Sequence, residues 1–448
     1  MKRLNKILLV VVMMLIGIIN VNAKDTVYSI GKYKDEEFKL IQESYNTEGK
    51  HDGIVTAGTY IKEKVEKDDT EYDNYQVMLV KYKKSGKVAW TYRYGKTSSE
   101  IVNSLIYSYD ENNNVDGYII VVSNSYDILT TNDSKSYFVK IDLNGKLVYE
   151  KETSLNTEET INKIMPTYSI DNIVDGYIGI TNNSIIKYDK ELNLILKKDY
   201  QNSNYISTTY TDISNIYDNN VFNGYVLIRK QEIENNKYNV EIIKYNESLS
   251  EETLIKENIN EYESYNLEEA NNGFILYGIT DDVKVKKGDN SYYIINYNTN
   301  GEEIWESIGN VGIKEDQNIV LHSRKKKHIT NYFLLYKNID NSNEVIKLDN
   351  EGLVEKKIKK INNDYYKFIS FIVDNNEKVY FVGQMKCPED EKCDYETNSL
   401  LLMSDEDKVI EVQDSTSTSI LISIFVILIL IGTTIYLVKS NGMKNKKK

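Results

Sequence analysis

VDGYIIV at 115–121, followed by SYFVKIDLNGKLVYE at 136–150, is the stretch whose reading decides the fold. The first segment is a turn that opens a short apolar strand. The second is strand, polar turn, strand. Apolar and β-branched residues fill its arms, and Asp, Asn and Gly lie between them, which is a hairpin signal.

Both segments recur. The opening strand returns as HDGIVTA (51–57), VDGYIGI (174–180), FNGYVLI (222–228) and NNGFILY (271–277), with degraded copies TNYFLLY (330–336) and EKVYFVG (377–383). The equivalent positions are Gly53, Gly117, Gly176, Gly224, Gly273, Asn331 and Lys378, spaced by 64, 59, 48, 49, 58 and 47 residues. The hairpin returns as VMLVKYKKSGKVAW (77–90), SIIKYDKELNLILKK (184–198), EIIKYNESLSEETLI (241–255), YYIINYNTNGEEIW (292–305), EVIKLDNEGLVEKK (344–357) and SLLLMSDEDKVIEV (399–412). Lys83, Asp142, Asp189, Asn246, Asn298, Asp349 and Asp405 share one aligned position. Asp and Asn there bond backbone N–H groups two residues on and start the turn. Gly86, Gly145, Gly301 and Gly352 supply the positive φ that follows. Seven residues after the aligned position stand Trp90, Tyr149, Leu196, Trp305 and Val412, expected to pack between neighbouring units.

A further strand precedes each opening turn, as in 38–46, 101–110, 211–219 and 366–375. Four strands per unit, repeated at this length, mean propeller blades. The expected fold is an all-β, seven-bladed propeller over 24–413, closed so that no sheet edge is left over. TVYSIGKY (26–33) is expected to pair into the last blade; an eighth blade would need 24–50 as a separate unit.

The repeat, turn-Gly-Tyr-Ile-Val and then Val-Lys-hydrophobic-Asp-x-x-Gly-x-x-x-Trp, resembles that of secreted bacterial β-propellers. It also looks like the quinoprotein-type repeat, best at 75–95 and 292–309. The resemblance implies a scaffold that hosts many unrelated functions. Quinone-dependent members imply adjacent cysteines and an axial Ca²⁺ site; Cys387 and Cys393 are not adjacent, so no cofactor is assigned.

The two ends point to a membrane. Residues 1–23 carry Lys2, Arg3 and Lys6, then an apolar run ending at Ala23, which reads as a signal peptide. Ile420 to Val438 is 19 residues without a charge, and at about 1.5 Å per residue it spans about 28 Å of bilayer. A polar linker (414–419) precedes it and a basic tail (439–448) follows, so the ectodomain is expected outside and the C-terminus in the cytoplasm. Three of the 55 Lys and Arg lie in 1–23 and five in 439–448; the 47 left face 68 Asp and Glu, a net of −21. That acidity excludes nucleic acid as a partner, which needs a cationic surface.

Cys387 and Cys393, in KCPEDEKC, are expected to form a loop disulfide in an extracellular setting. The 38 tyrosines fit codon bias of an AT-rich bacterial genome on β-strands, or exposed clusters that stack on sugars. His51 reads as a turn residue, and His322 and His328 flank RKKK (324–327), which reads as an exposed loop. DENNNVDG (110–117) and DNIVDG (171–176) alternate oxygen ligands but match the repeat's ordinary turn, so no metal is assigned. Serine-hydrolase, zinc-protease and phosphate-loop motifs do not occur, and no catalytic residue is named.

The reading is a membrane-anchored extracellular propeller that binds a protein or glycan. A polymer-degrading hydrolase or lyase, or a subunit of a membrane complex, is the alternative. A hydrolase would need acidic and aromatic residues at one channel mouth, with a carboxylate of raised pKa. Deleting 399–412 is expected to prevent ring closure and abolish cooperative unfolding of the whole domain, read by thermal melting. A truncated chain that melts as one cooperative unit would refute the closed ring.

Overall fold

The computed structural model describes residues 26–28, 34–67, 70–95, 99–124, 135–156, 159–169, 171, 173–200, 205–219, 221–234, 237–256, 264–280, 291–309, 311–313, 319–326, 329–387 and 397–404. The expectations placed on 1–23 and on 405–448 lie outside them. Among the described residues no helix is long and apolar enough to cross a membrane.

The described strands form seven four-stranded antiparallel sheets, the blades of a propeller. The first and innermost strands are, in order, Lys34–Tyr45, Glu100–Tyr109, Lys163–Tyr168, Ser207–Asp218, Asn266–Glu269, Val320–Lys326 and Tyr366–Val373. In blades one to six the next three strands follow in sequence toward the rim. In blade seven the outer place is filled by Thr26–Tyr28, which pairs antiparallel with Thr397–Ser404: Thr26 opposes Met403, Val27 opposes Leu402 and Tyr28 opposes Leu401. Of the hairpin expected over 399–412, the first arm is the strand Thr397–Ser404, and the rest lies outside the described residues. The free edge of 397–404 is taken by the N-terminal strand.

The core is not one body but seven slabs, one at each blade interface. Val55, Leu79, Tyr118 and Ile120 belong to the slab between blades one and two. Phe38, Met78, Tyr380 and Leu401 belong to the one that joins blade seven back to blade one. This is why second and third strands such as Phe274–Thr280 are buried on both faces.

Two local devices repeat. In the first, the motif Asp-Gly is a β-bulge on the second strand. Asp52, Asp116 and Asp175 are the extra residues, because Ser44, Ser108 and Thr167 pair with Gly53, Gly117 and Gly176. These three glycines sit inside the strand, where an added Cβ would lie 1.9–2.2 Å from a carbonyl oxygen of the third strand. Gly224 and Gly273 make the same approach at φ of 99° and 93°. The bulged carboxylate reaches both neighbouring strands. Asp52 accepts from Ser44 Oγ at 2.7 Å and pairs with Lys81 at 2.9 Å. Asp116 accepts from Ser108 and pairs with Lys140 at 2.8 Å. Asp175 accepts from Thr167, and Asn223 takes the lysine Lys244.

The second device is the five-residue turn. Asp142 Oδ1 accepts from the N–H groups of Asn144 and Lys146. Asp349 and Asn298 do the same two and four residues on, and Asp189 accepts from Asn193. The fourth turn residue is left-handed: Gly86, Gly145, Gly301 and Gly352, but Leu192 and Leu249 at φ 60° in blades three and four. The exchange has a packing cause. A Cβ at Gly145 would lie 2.6 Å from the Trp90 ring of the preceding blade, and one at Gly352 would lie 2.4 Å from Trp305. Where the preceding blade offers the smaller Tyr149, Leu192 fills the space and is buried. Leu196 instead stands exposed at the rim.

Lys81 is 5 % exposed, so Asp52→Ala strands a buried cation and is expected to cost about 2–4 kcal/mol. Adding Lys81→Met should restore much of that loss in denaturant unfolding. Equal destabilisation of the single and double variants would show that the clamp is not electrostatic.

Candidate functional site

The A–B turns of all seven blades and the C–D turns of blades one to six (first to second and third to fourth strand) lie on one face, here the turn face. The B–C loops and the inter-blade connections lie on the other, the loop face. A pocket of about 440 Å³ opens at the loop face where blades seven, one and two meet, a size typical of ligand sites. Its wall is the start of the first inner strand (Asp35, Glu37, Lys39), the long second and third strands of blade one (Thr59, Ile61, Asp73, Tyr75), Ile101, and Gln384 with Thr397 of blade seven. Those two blade-one strands, His51–Lys67 and Thr70–Lys83, run past their neighbours and build the tall side.

The lining is acidic, with three carboxylates against one lysine. Lys39 lies 3.4 Å from Glu37, so it answers one of them. Asp35 is left-handed (φ 52°), and its Oδ1 accepts from Thr397 N at 3.0 Å and Thr397 Oγ1 at 3.3 Å. That tie across the ring's closure fixes the carboxylate at the pocket wall. Burial, then Asp73, Asp35 and Glu37, raise the Tyr75 phenol above its ordinary range. It stays protonated and offers both a donor and an acceptor. The arrangement suits a ligand group that is cationic, donates several hydrogen bonds and carries an apolar stem for Ile61 and Ile101.

The central channel holds a second polar cluster. Each inner strand turns an unpaired backbone edge to the channel, and side chains of a neighbouring blade reach across to its main chain. Gln42 Nε2 donates to Leu105 O, Tyr107 Oη to Glu43 O, Asn103 Nδ2 to Ile161 O, and Arg324 to Asp374 O. Asp212 accepts from Leu267 N at 2.7 Å and from Lys163 Nζ at 2.6 Å. Glu268 Oε1 accepts from Ser323 N at 3.1 Å and from Ser323 Oγ at 2.5 Å. Burial pushes the Glu268 carboxyl up to about 7, helped by Glu269 and opposed by Ser323 and Lys163. Burial works against the Lys163 charge, but Asp212, Glu268 and Glu269 outweigh it and hold the ammonium above its ordinary range. The carboxylate of raised pKa that a hydrolase would need is thus present, yet its oxygen is committed to holding the next strand.

The expectation of an exposed loop at RKKK is overturned over 324–326, while Lys327 and His328 lie outside the described residues. His322 and Arg324 lie in the inner strand of blade six, Val320–Lys326. Arg324 is 8 % exposed, because a guanidinium supplies the donors that blade seven's edge needs. His322 meets the Phe371 ring at 5.9 Å. Burial, with Arg324 beside it, lowers its pKa to about 4. His51 opens the second strand of blade one, its Nε2 2.8 Å from Gly53 O.

The motif residues and the pocket lie apart. Gly53, Gly117, Gly176, Gly224, Gly273, Asp142, Asp189 and Asp349 all sit at the turn face. Cys387 follows the strand Val379–Lys386 on the loop face, three residues beyond Gln384; Cys393 lies outside the described residues. Asp35, Glu37, Asp73 and Tyr75 alternate along strands (D-x-E, D-x-Y), a pattern shared with many acidic strands of this chain.

No known family matches the sequence, and no curated protein does. Among solved structures it is similar to Sqt1 from Chaetomium thermophilum at 9 % identity and TM-score 0.46, covering 85 % of this chain and 100 % of that one. It is also similar to the periplasmic gluconolactonase of Pseudomonas aeruginosa, at 9 % identity and TM-score 0.38, covering 72 % and 95 %. These likenesses concern the fold alone.

The native Glu268 carboxyl keeps its proton to higher pH than an unfolded one, ordinarily near 4.5. Its contribution to stability is therefore full below that value and is lost as pH rises toward 7. Glu268→Gln keeps the acceptor for Ser323 and removes the titration. The variant should exceed the parent by about 1–3 kcal/mol at pH 8 and by much less at pH 5 in denaturant unfolding. A gap independent of pH would refute this.

Proposed function

We propose that this chain is a binding platform whose working surface is the loop face, with the acidic pocket as the anchor point for a basic side chain of a protein partner. One observation carries the reading. The pocket lies on the loop face, whereas both ends of the ring leave from the turn face: Ser404 pairs with Val379 just after the 374–378 turn, and Thr26 lies beside Met403.

The reading extends to the ends themselves. Ile420 to Val438 anchors the protein in a membrane, residues 1–23 direct export, and the ring stands outside the cell with the 439–448 tail in the cytoplasm. The likeness of the repeat to secreted bacterial propellers supports the same placement. A Cys387–Cys393 bond then staples the loop between Gln384 and Thr397, both of which line the pocket. Tall blade-one strands beside a small acidic pocket fit a protein that presents lysine or arginine; an amine-bearing glycan meets the same chemistry less fully, because it lacks the apolar stem.

Titration of the secreted region 24–413 with a lysine-rich peptide should give binding that weakens as salt rises. Asp35→Asn with Asp73→Asn should weaken it at least tenfold, since Asn tolerates the left-handed backbone at 35 and keeps the Thr397 contacts. Glutamate-rich peptides should not bind. Equal affinity of the parent and the double variant would remove the pocket from the function, and retention of amino sugars alone would replace the protein partner with a glycan.

A further inference from the structure

The inner strands of blades one to four end on the same residue type. Tyr45, Tyr109 and Tyr168 each directly follow the Ser or Thr that pairs with the bulge glycine, and each is the last residue of its strand. Tyr217 pairs with Phe222 at the same level of blade four. The four therefore stand side by side around the channel's mouth on the turn face. Their rings make a chain of steep contacts. Tyr45 meets Tyr107 at 5.7 Å and 67°, Tyr107 meets Tyr109 at 6.4 Å and 74°, and Tyr168 meets Tyr217 at 6.4 Å and 57°. Tyr45, Tyr107, Tyr109 and Tyr168 are half-buried, so part of each ring is open to solvent.

Two half-buried carboxylates flank this arc. Glu43 of blade one accepts from Tyr45 Oη at 2.9 Å, and Glu269 of blade five accepts from Asn215 Nδ2 at 3.0 Å. Burial, then Glu269, push the Tyr109 phenol up to about 12. Burial, Tyr109 and Glu269 raise Tyr168; burial, Glu269 and Tyr168 raise Tyr217. Blades two and five are not neighbours, so Glu269 and Tyr109 act on each other across the mouth. Asn215 is fully buried beside Glu269, and its Oδ1 has no hydrogen-bond partner among the described residues.

We propose that the turn-face mouth of the channel binds a small organic ammonium ion, with the tyrosine rings as its walls and Glu43 and Glu269 as its counter-charges. The electron-rich faces of phenol rings attract a cation, most strongly where water is excluded. The phenols stay protonated and neutral, and their oxygens, with Asn215 Oδ1, accept from an N–H or hydroxyl of the ligand. A sugar fits this mouth less well. Stacking a pyranose needs a flat, open ring face, whereas rings inclined at 57–74° to their neighbours line a curved wall. The site lies at the opposite end of the ring from the acidic pocket and does not depend on it.

The test is calorimetric titration of the full-length chain with choline, with the neutral isostere in which carbon replaces the quaternary nitrogen, and with glucose. Choline should bind roughly tenfold more tightly than the isostere, the ratio that a desolvated cation–π contact supplies. Glu269→Gln, which keeps the acceptor for Asn215, and Tyr168→Leu should each weaken choline roughly tenfold, while Tyr168→Phe keeps the ring and binds within about twofold of the parent. With Asp35→Asn and Asp73→Asn also present, which removes two acids of the loop-face pocket, choline should still bind and Glu269→Gln should still weaken it. If Tyr168→Leu fails to melt cooperatively, Glu269→Gln and the isostere decide. Absence of choline binding, equal binding of the isostere, or preference for glucose overturns the proposal. Choline binding that vanishes with Asp35 and Asp73 but ignores Glu269→Gln moves the ammonium to the loop face and overturns it as well.

Discussion

The three-residue strand Thr26–Tyr28 lies against Leu401–Met403, and the ring depends on that pairing. Among the described residues blade seven has three strands besides the N-terminal one. Its two faces cover blade six on one side and blade one on the other. Val27 packs into the first of those slabs and thereby ties the chain's beginning to its last strands. Because every core is shared between two blades, loss of one sheet exposes apolar surface on both neighbours. Cooperativity in this fold comes from closure more than from any single blade, as expected where sheet edges are removed by a ring.

Closure has a cost at the axis, where seven backbone edges face the channel with no strand to pair them. The structure meets it with side chains rather than backbone. Gln42, Asn103, Tyr107, Asp212, Glu268 and Arg324 each reach the next or preceding blade's main chain. This explains why charge is concentrated where a core would normally exclude it. It also separates two kinds of carboxylate. Those of the channel, Asp212 and Glu268, hold the main chain of a neighbouring blade, while Asp35, Glu37 and Asp73 line an open pocket. Raised or lowered pKa values at Glu268 and His322 are consequences of burial at the seam.

The repeat was legible because each blade needs the same turn and the same apolar strands, and these recur within the chain. The number of blades and the inner strand before each motif followed from that periodicity, as did the N-terminal strand's place in the last blade. The meaning of Asp52, Asp116 and Asp175 was not legible. In sequence they read as turn or calcium-ligand residues, since nothing nearby shows that Lys81 and Lys140, 24 or more residues on, stand beside them across a strand. RKKK misled for a similar reason: a basic run reads as solvated, but the inner strand turns Arg324 into a seam where it donates to Asp374 O.

The sequence alone determined the class of fold and the number of units, because these depend on local pattern and composition. Which residues form the pocket was decided only in three dimensions. Asp35 and Thr397 stand 362 positions apart and meet because the ring closes between them. A short strand with two acids is common in this chain, and only the meeting of blades seven, one and two makes one such strand a wall.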